Sequence, residues 1–232
     1  LSGRIPKEFN GDYFQLSEAQ NCALKLNNWV RDSVEHTVYI NSDGTISKKV
    51  ATTWIQPQVY SKKIPPFQYD TTTQKIYRAW IRYLVPKDSM DFNSDGYSKS
   101  DYLLYYPQNY FDPTINKEIS DNIIAFDHRR LKEEDPIPSL TLTVEYTLPK
   151  TINFESNKEY VLLLQKHPGK SWEEDDYASP GGEKHFINII LNGELFSTST
   201  SLDRDKIIIF RNGEFEVVNY NTSFDWIVNT IE

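Results

Sequence analysis

The sequence predicts a mainly β fold: an antiparallel two-sheet β-sandwich, Ig-like or related, with a long insertion carrying a short helix. Three observations predict this. Turn dipeptides recur, with Asp43-Gly44, Asn192-Gly193 and Asn212-Gly213 each separating two strand-like runs; such pairs tolerate the positive φ angles that tight hairpins demand. Alternation recurs too, most clearly in LTLTVEYTL. There Leu140, Leu142, Val144, Tyr146 and Leu148 face one way and Thr141, Thr143, Glu145 and Thr147 the other, the pattern of a half-buried strand. The composition agrees, since 15 Tyr, 12 Phe and 5 Trp stand against a single Met in 232 residues, and flat side chains pack well across pleated surfaces.

The elements follow in order. VYINSDGTISKKV reads as the first hairpin, turning at Asp43-Gly44. IYRAWIRYLVP alternates, with Arg78 and Arg82 interleaved on the side of Ile76, Trp80 and Leu84. Residues 88–135 form a polar and aromatic excursion that includes YLLYYPQNYFDP. Within it Ile119, Ile123 and Phe126 are spaced three or four apart, which predicts the short helix. A connection of this length is either functional or a decorated insertion. EYVLLLQK is apolar on both faces and reads as a central strand with Lys166 at its exit. SWEEDDYASPGGEKH, acidic and then turn-rich, reads as an exposed loop before two C-terminal hairpins. The organisation is one β-sandwich over residues 1–232, or two closely packed β subdomains dividing near residue 171.

Composition excludes several classes. A net charge of -8 opposes a nucleic-acid or anionic-membrane partner. No apolar run approaches the roughly 18 residues of a membrane span, and no basic-then-apolar leader is present. The single cysteine, Cys22, allows neither an internal disulfide nor a cysteine-rich metal cluster. Starting at Leu1 without Met, the chain reads as a fragment or a processed product.

Few motifs point to chemistry. DFNSDGYSKSD, residues 91–101, opens like a calcium loop. Asp91, Asn93 and Asp95 occupy alternate ligand positions, Gly96 the sharp turn, and Tyr97 the carbonyl position. Lys99 and Tyr102 then stand where a closing pattern needs oxygen donors, and Asp101 falls one place early. A calcium site grafted on a β scaffold and a plain solvated Asx/Gly turn both fit. Glu173, Glu174, Asp175 and Asp176 are adjacent, whereas glycosidase carboxylates converge from separate strands, so a solvated face is the commoner meaning. Trp172 and Tyr177 flank them and could stack on a sugar ring. His36, His128, His167 and His185 occur singly, with no metal or triad spacing. No nucleophile elbow, P-loop or dinucleotide fingerprint is present, and Asn221-Thr222-Ser223 is a sequon meaningful only in a eukaryotic secreted protein. An enzyme is not expected.

Three segments in order carry a family likeness: LNNWVRDSVEHTVYINSDGTISKKVATTWI, YRAWIRYLVPKDS, and LTLTVEYTLP followed by EYVLLLQKHPGK. They resemble the C-terminal part of the bacterial domain-of-unknown-function family 4012 over about residues 20–170. The last segment supplies Tyr160, Leu162, Gln165, Lys166, Pro168 and Gly169, with His167 in place of the more usual Gln; Asp88 stands where the family more often has Gly. The resemblance implies an extracytoplasmic piece of a membrane-anchored envelope protein and no particular activity, and the calcium-like loop lies outside the shared pattern.

The expected function is therefore a non-catalytic envelope module for assembly, adhesion or spacing, facing a protein or glycan of the cell surface. A carbohydrate-binding module, with or without calcium dependence, is the alternative, using Trp172, Tyr177 and the tyrosines of YLLYYPQNY. A hydrolase using Glu173 or Asp175 is a third reading.

Overall fold

The computed structural model describes residue 9 and residues 11–20, 31–55, 78–86, 88–95, 111–112, 117–118, 124–127, 139–166 and 183–220. Its strands are β1 (Asp12–Gln20), β2 (Arg31–Ile40), β3 (Ile46–Ile55), β4 (Arg78–Leu84), β5 (Met90–Asp95), β6 (Phe111–Asp112) and β7 (Lys117–Glu118). They continue with β8 (Ile124–Asp127), β9 (Ser139–Thr147), β10 (Tyr160–Gln165), β11 (Glu183–Leu191), β12 (Glu194–Leu202), β13 (Lys206–Arg211) and β14 (Glu214–Asn219). One helical turn, α1 (Phe154–Asn157), precedes β10.

The three turn dipeptides do as their chemistry requires. Asp43-Gly44 joins β2 to β3, with Gly44 at φ +77°, and the Asp43 carboxylate accepts the Thr45 amide at 3.0 Å. Asn192-Gly193 and Asn212-Gly213 join β11 to β12 and β13 to β14, both residues of each pair having positive φ, the geometry of a tight hairpin turn.

The strands form two six-stranded sheets, β14-β13-β10-β1-β4-β8 and β12-β11-β2-β3-β9-β5, besides a small β6–β7 ribbon. Where the sequence reading expects a mainly antiparallel sandwich, each sheet is mixed and contains one parallel pair. β1 runs parallel to β10, and β2 runs parallel to β11. Hairpin signals specify only strands adjacent in the chain, and both parallel pairs join strands far apart in it.

Two described segments of the 88–135 stretch join the two layers. β5 extends the second sheet beside β9, and β8 extends the first beside β4. Phe126, expected on a short helix, stands in β8 opposite Ala79; Ile119 and Ile123 lie outside the described residues. Extended backbone at 124–127 gives the β4 edge a partner for its exposed amides and carbonyls, which a helix there would leave unpaired. The described helical turn, α1, sits instead against the first hairpin, where the Phe154 amide donates to the Gly44 carbonyl at 3.1 Å.

The sheets share one core. Phe14, Leu16, Leu162, Leu164, Ile208 and Phe210 of the first meet Val34, Val38, Val50, Trp54, Leu142, Ile187 and Ile189 of the second, all buried in a single cluster. Each such side chain contributes about 1.5–3 kcal/mol on leaving water. β10 is apolar on both faces because its outer side is covered as well: Tyr13, Leu84 and Leu163 form a second cluster with Phe9, Ile207 and Tyr220. That accounts for YVLLLQ, which does not alternate. Among the described residues no helix is long and apolar enough to cross a membrane.

Candidate functional site

Two of the inward-facing stripes are interrupted by charge. On β1 the inward positions are Asp12, Phe14 and Leu16; on β3 they are Ile46, Lys48, Val50, Thr52 and Trp54. Asp12 and Lys48 consequently meet between the layers, one from each sheet. Lys48 Nζ lies 2.5 Å from Asp12 Oδ2, and neither side chain has any exposure. The Tyr160 hydroxyl donates to the same Oδ2, and the Tyr13 amide donates to Oδ1 at 2.7 Å. Lys48 Nζ also lies 5.6 Å from the centroid of the Phe14 ring, within cation–π range.

Tyr146 stands directly opposite Lys48 in the β3–β9 ladder, and its buried hydroxyl has no hydrogen-bond partner among the described residues. Burial pushes the Tyr146 and Tyr160 hydroxyls well above the usual phenol range, and the Asp12 charge adds to both. Burial pulls the Lys48 amine down, opposed by the charge and hydrogen bond of Asp12.

A second polar arm lies alongside. His36 interrupts the stripe Val34, Val38, Ile40 on β2, and His185 and Glu183 face inward from β11. Glu183 Oε1 lies 2.9 Å from His185 Nε2, and His185 Nδ1 lies 2.8 Å from His36 Nε2. A carboxylate at one end assigns the protons: His185 donates from Nε2, His36 donates from Nε2, and His36 Nδ1 is left as a bare acceptor. That atom has no partner among the described residues. The two imidazoles stack with centroids 5.1 Å apart, and Phe14 meets His36 edge-on at 4.7 Å. Burial first, then the Lys48 charge and electrostatic coupling to the His185 ring, pulls His36 well below the usual histidine range.

The cluster brings an amine, a carboxyl group and hydroxyls within reach of one another, with Asp12, Lys48, His36, His185 and Glu183 all 0–1 % exposed. It is built for reaction or structure within the fold, since a substrate in solvent does not touch these groups.

The other polar assembly is the outer face of the second sheet. One row across it runs Ser197, Asn188, Thr37, Lys49, Glu145 and Asn93. Asn188 donates to Glu35 at 2.7 Å, Ser197 donates to Asn188 at 2.7 Å, and Lys49 pairs with Glu145 at 3.3 Å. Tyr39, Phe186, Leu195 and Met90 stand exposed on this face.

The residues singled out in the sequence fall elsewhere. Asp91, Asn93 and Asp95 belong to β5, an edge strand, so the expected loop is extended backbone through residue 95. Asp91 has φ +57°, the pairing with β9 shifts register between Met90 and Asn93, and Phe92 stacks on Tyr146. Tyr97, Asp101, Trp172 and Tyr177 lie outside the described residues, as do Glu173 to Asp176, Cys22, His128 and His167. Among the described residues no three His, Cys, Asp or Glu side chains are grouped to hold a metal. Sequence reasoning treats His36 and His185 as isolated and does not single out Asp12 or Lys48. The available signal is an ionisable residue standing in an otherwise apolar alternating stripe, as Lys48 does in ISKKVATTW and His36 in SVEHTVYI.

No family model matches the chain, and neither a curated protein nor a solved structure matches it.

Proposed function

We propose that this chain is a non-catalytic β-sandwich module of a bacterial cell-envelope protein, placed outside the cytoplasm and serving assembly, adhesion or spacing. The observation that carries the reading is the division of polar groups. The catalytic-looking ones are enclosed between the sheets, and the open face of the second sheet presents a broad array of hydroxyls, amides and exposed apolar side chains. Such a face suits contact with a surface or partner more than turnover of a substrate. The resemblance of residues 20–170 to an envelope family supports the compartment. Incubating the purified chain with broad panels of glycans, peptides and esters tests the reading; the expected result is no turnover, and multiple turnovers of any of them refute it.

A second reading, a carbohydrate-binding module, is favoured by Tyr39 and Phe186. Both are exposed on the outer face of the second sheet, on adjacent strands, about 14 Å apart at ordinary strand spacing. Glu35, Asn188 and Thr37 lie between them and offer donors and acceptors to sugar hydroxyls. A glycan array with and without chelator separates the readings and tests whether residues 91–101 hold a calcium ion that binding needs. Binding lost in Tyr39→Ala and Phe186→Ala favours the carbohydrate reading, and an array with no bound glycan removes it.

A further inference from the structure

We propose that Lys48 and Asp12 are joined covalently, as an amide between Lys48 Nζ and Asp12 Cγ that the folded chain forms by itself. The inference does not depend on what the module binds. It stands on how the pair is held. Nζ lies in direct contact with Oδ2, and both side chains are fully enclosed between the layers. The partners come from opposite sheets, so packing of the two layers presses them together and neither can withdraw into solvent. Both carboxyl oxygens already receive a donor, Oδ1 from the Tyr13 amide and Oδ2 from the Tyr160 hydroxyl.

The chemistry balances within these groups. A proton passes from the Lys48 ammonium to Asp12 Oδ2, leaving a neutral amine beside a neutral acid. The Nζ lone pair attacks Cγ and the C–N bond forms. The carbonyl π electrons move onto Oδ1, where the Tyr13 N–H meets the developing charge as an oxyanion donor does. A second proton leaves Nζ for the Oδ2 hydroxyl, directly or relayed by the Tyr160 hydroxyl. The Oδ1 pair then re-forms the carbonyl as the Cγ–Oδ2 bond breaks, and water departs. An ammonium and a carboxylate become one amide and one water; the net charge is unchanged, nothing is oxidised or reduced, and no co-reactant is needed.

Two general effects drive the reaction forward. Fixed approach of the reacting atoms replaces a bimolecular encounter. Amide formation also removes two buried charges at once, so the desolvation that opposes a buried ion pair favours the product. The Tyr146 hydroxyl, which has no hydrogen-bond partner among the described residues and lies opposite Lys48 in the ladder, is placed to bond the new amide or the departing water. Once made, the link would tie β1 in one sheet to β3 in the other through the centre of the sandwich.

The test is the intact mass of the purified full chain under denaturing conditions. The expected value is lower than the sequence mass by one water, with a tryptic product in which the Asp12 and Lys48 peptides remain joined. Lys48→Met and Asp12→Ala are each expected at their full sequence mass. A wild-type mass equal to the sequence mass overturns the proposal and leaves a non-covalent ion pair, and this outcome needs no variant to fold. A succinimide at Asp43-Gly44 or Asp95-Gly96 would also cost one water. Alkaline hydroxylamine opens a succinimide and spares a side-chain amide, so a deficit that hydroxylamine abolishes likewise overturns the proposal.

Discussion

Replacing Asp12 by Asn and Lys48 by Met together distinguishes a buried ion pair from a buried amide by energetics alone. Lys48→Met by itself does not. It strands the Asp12 carboxylate between the sheets with Tyr160 and the Tyr13 amide as its remaining partners among the described residues, and losing one partner of a buried pair costs about 3–5 kcal/mol. A broken cross-link costs a similar amount. The double variant removes both charges while keeping side-chain volume. For an ion pair, such a change is neutral or stabilises by about 1–4 kcal/mol, because the desolvation of both ions disappears. For an amide, it also opens a covalent ring whose ends are 36 positions apart. The chain-entropy relation used for disulfides puts the closure of such a ring at about 4 kcal/mol. In a chain of 232 residues each kcal/mol moves the thermal midpoint by about 2–4 °C, giving an expected fall of about 8–16 °C. The measurement is a reversible melt by circular dichroism, wild type against double variant, backed by urea midpoints. A double variant that melts at or above the wild type refutes the covalent argument.

Stability is expected to fall on acidification because of His36, which the fold holds neutral, mainly by burial and then by Lys48 and His185. The unfolded chain titrates at that residue near the ordinary value of about 6.5 and so binds more protons below it. Stability is therefore full above about pH 6.5 and drops by about 1.4 kcal/mol per pH unit beneath it, until the depressed folded value is reached. Urea midpoints from about pH 7.5 down to about pH 5.5 check this, and His36→Gln should flatten the slope. Gly44→Ala is expected to cost more than Gly193→Ala. Both have positive φ, but a Cβ at Gly44 would stand 2.5 Å from Asn153 Oδ1 and 2.9 Å from Glu155 Cβ, whereas at Gly193 it meets open space. Loss of the glycine conformation alone accounts for about 1 kcal/mol, so equal urea midpoints for the two variants would contradict the crowding. Leu162→Ala, at a position with no exposure in the centre of the shared core, should cost about 2–5 kcal/mol by the same assay.

The sequence speaks most clearly where the physics is local. Asp43-Gly44, Asn192-Gly193 and Asn212-Gly213 place three hairpins correctly because each supplies the positive φ its turn needs, at Gly44 alone in the first and at both residues in the other two. Leu142, Val144, Tyr146 and Leu148 all face inward as their alternation predicts. The short runs of the 88–135 stretch are harder. Three apolar residues at helical spacing weigh little against an open sheet edge, and Phe126 joins that edge. The residues of DFNSDGYSKSD are ambiguous for a related reason. Their alternate spacing suits ligands around an ion and side chains along a strand equally well, and through Asp95 they form a strand.

Both arms of the buried cluster depend on the two pairings that have no local signature. β1 lies parallel to β10 with Asp12 opposite Leu162, which brings Tyr160, two positions earlier on β10, within reach of the Asp12 carboxylate. β2 lies parallel to β11 with His36 opposite Ile187, which brings His185, again two positions earlier, against His36. Antiparallel hairpins alone would build neither contact, since Asp12 and Tyr160, like His36 and His185, sit on strands no turn connects. The polar residues in the apolar stripes of β1 and β2 are thus explained by the topology. Asp12 and His36 are costly on their own strands and gain Tyr160 and His185 when a distant strand arrives in parallel register, while Lys48 of β3 meets Asp12 across the layers. A chain that closed its sheets antiparallel at those positions would leave Asp12 and His36 buried without Tyr160 and His185, a loss of several kcal/mol at these sites. On this argument the same polar residues that could react also help select the mixed topology over the antiparallel one.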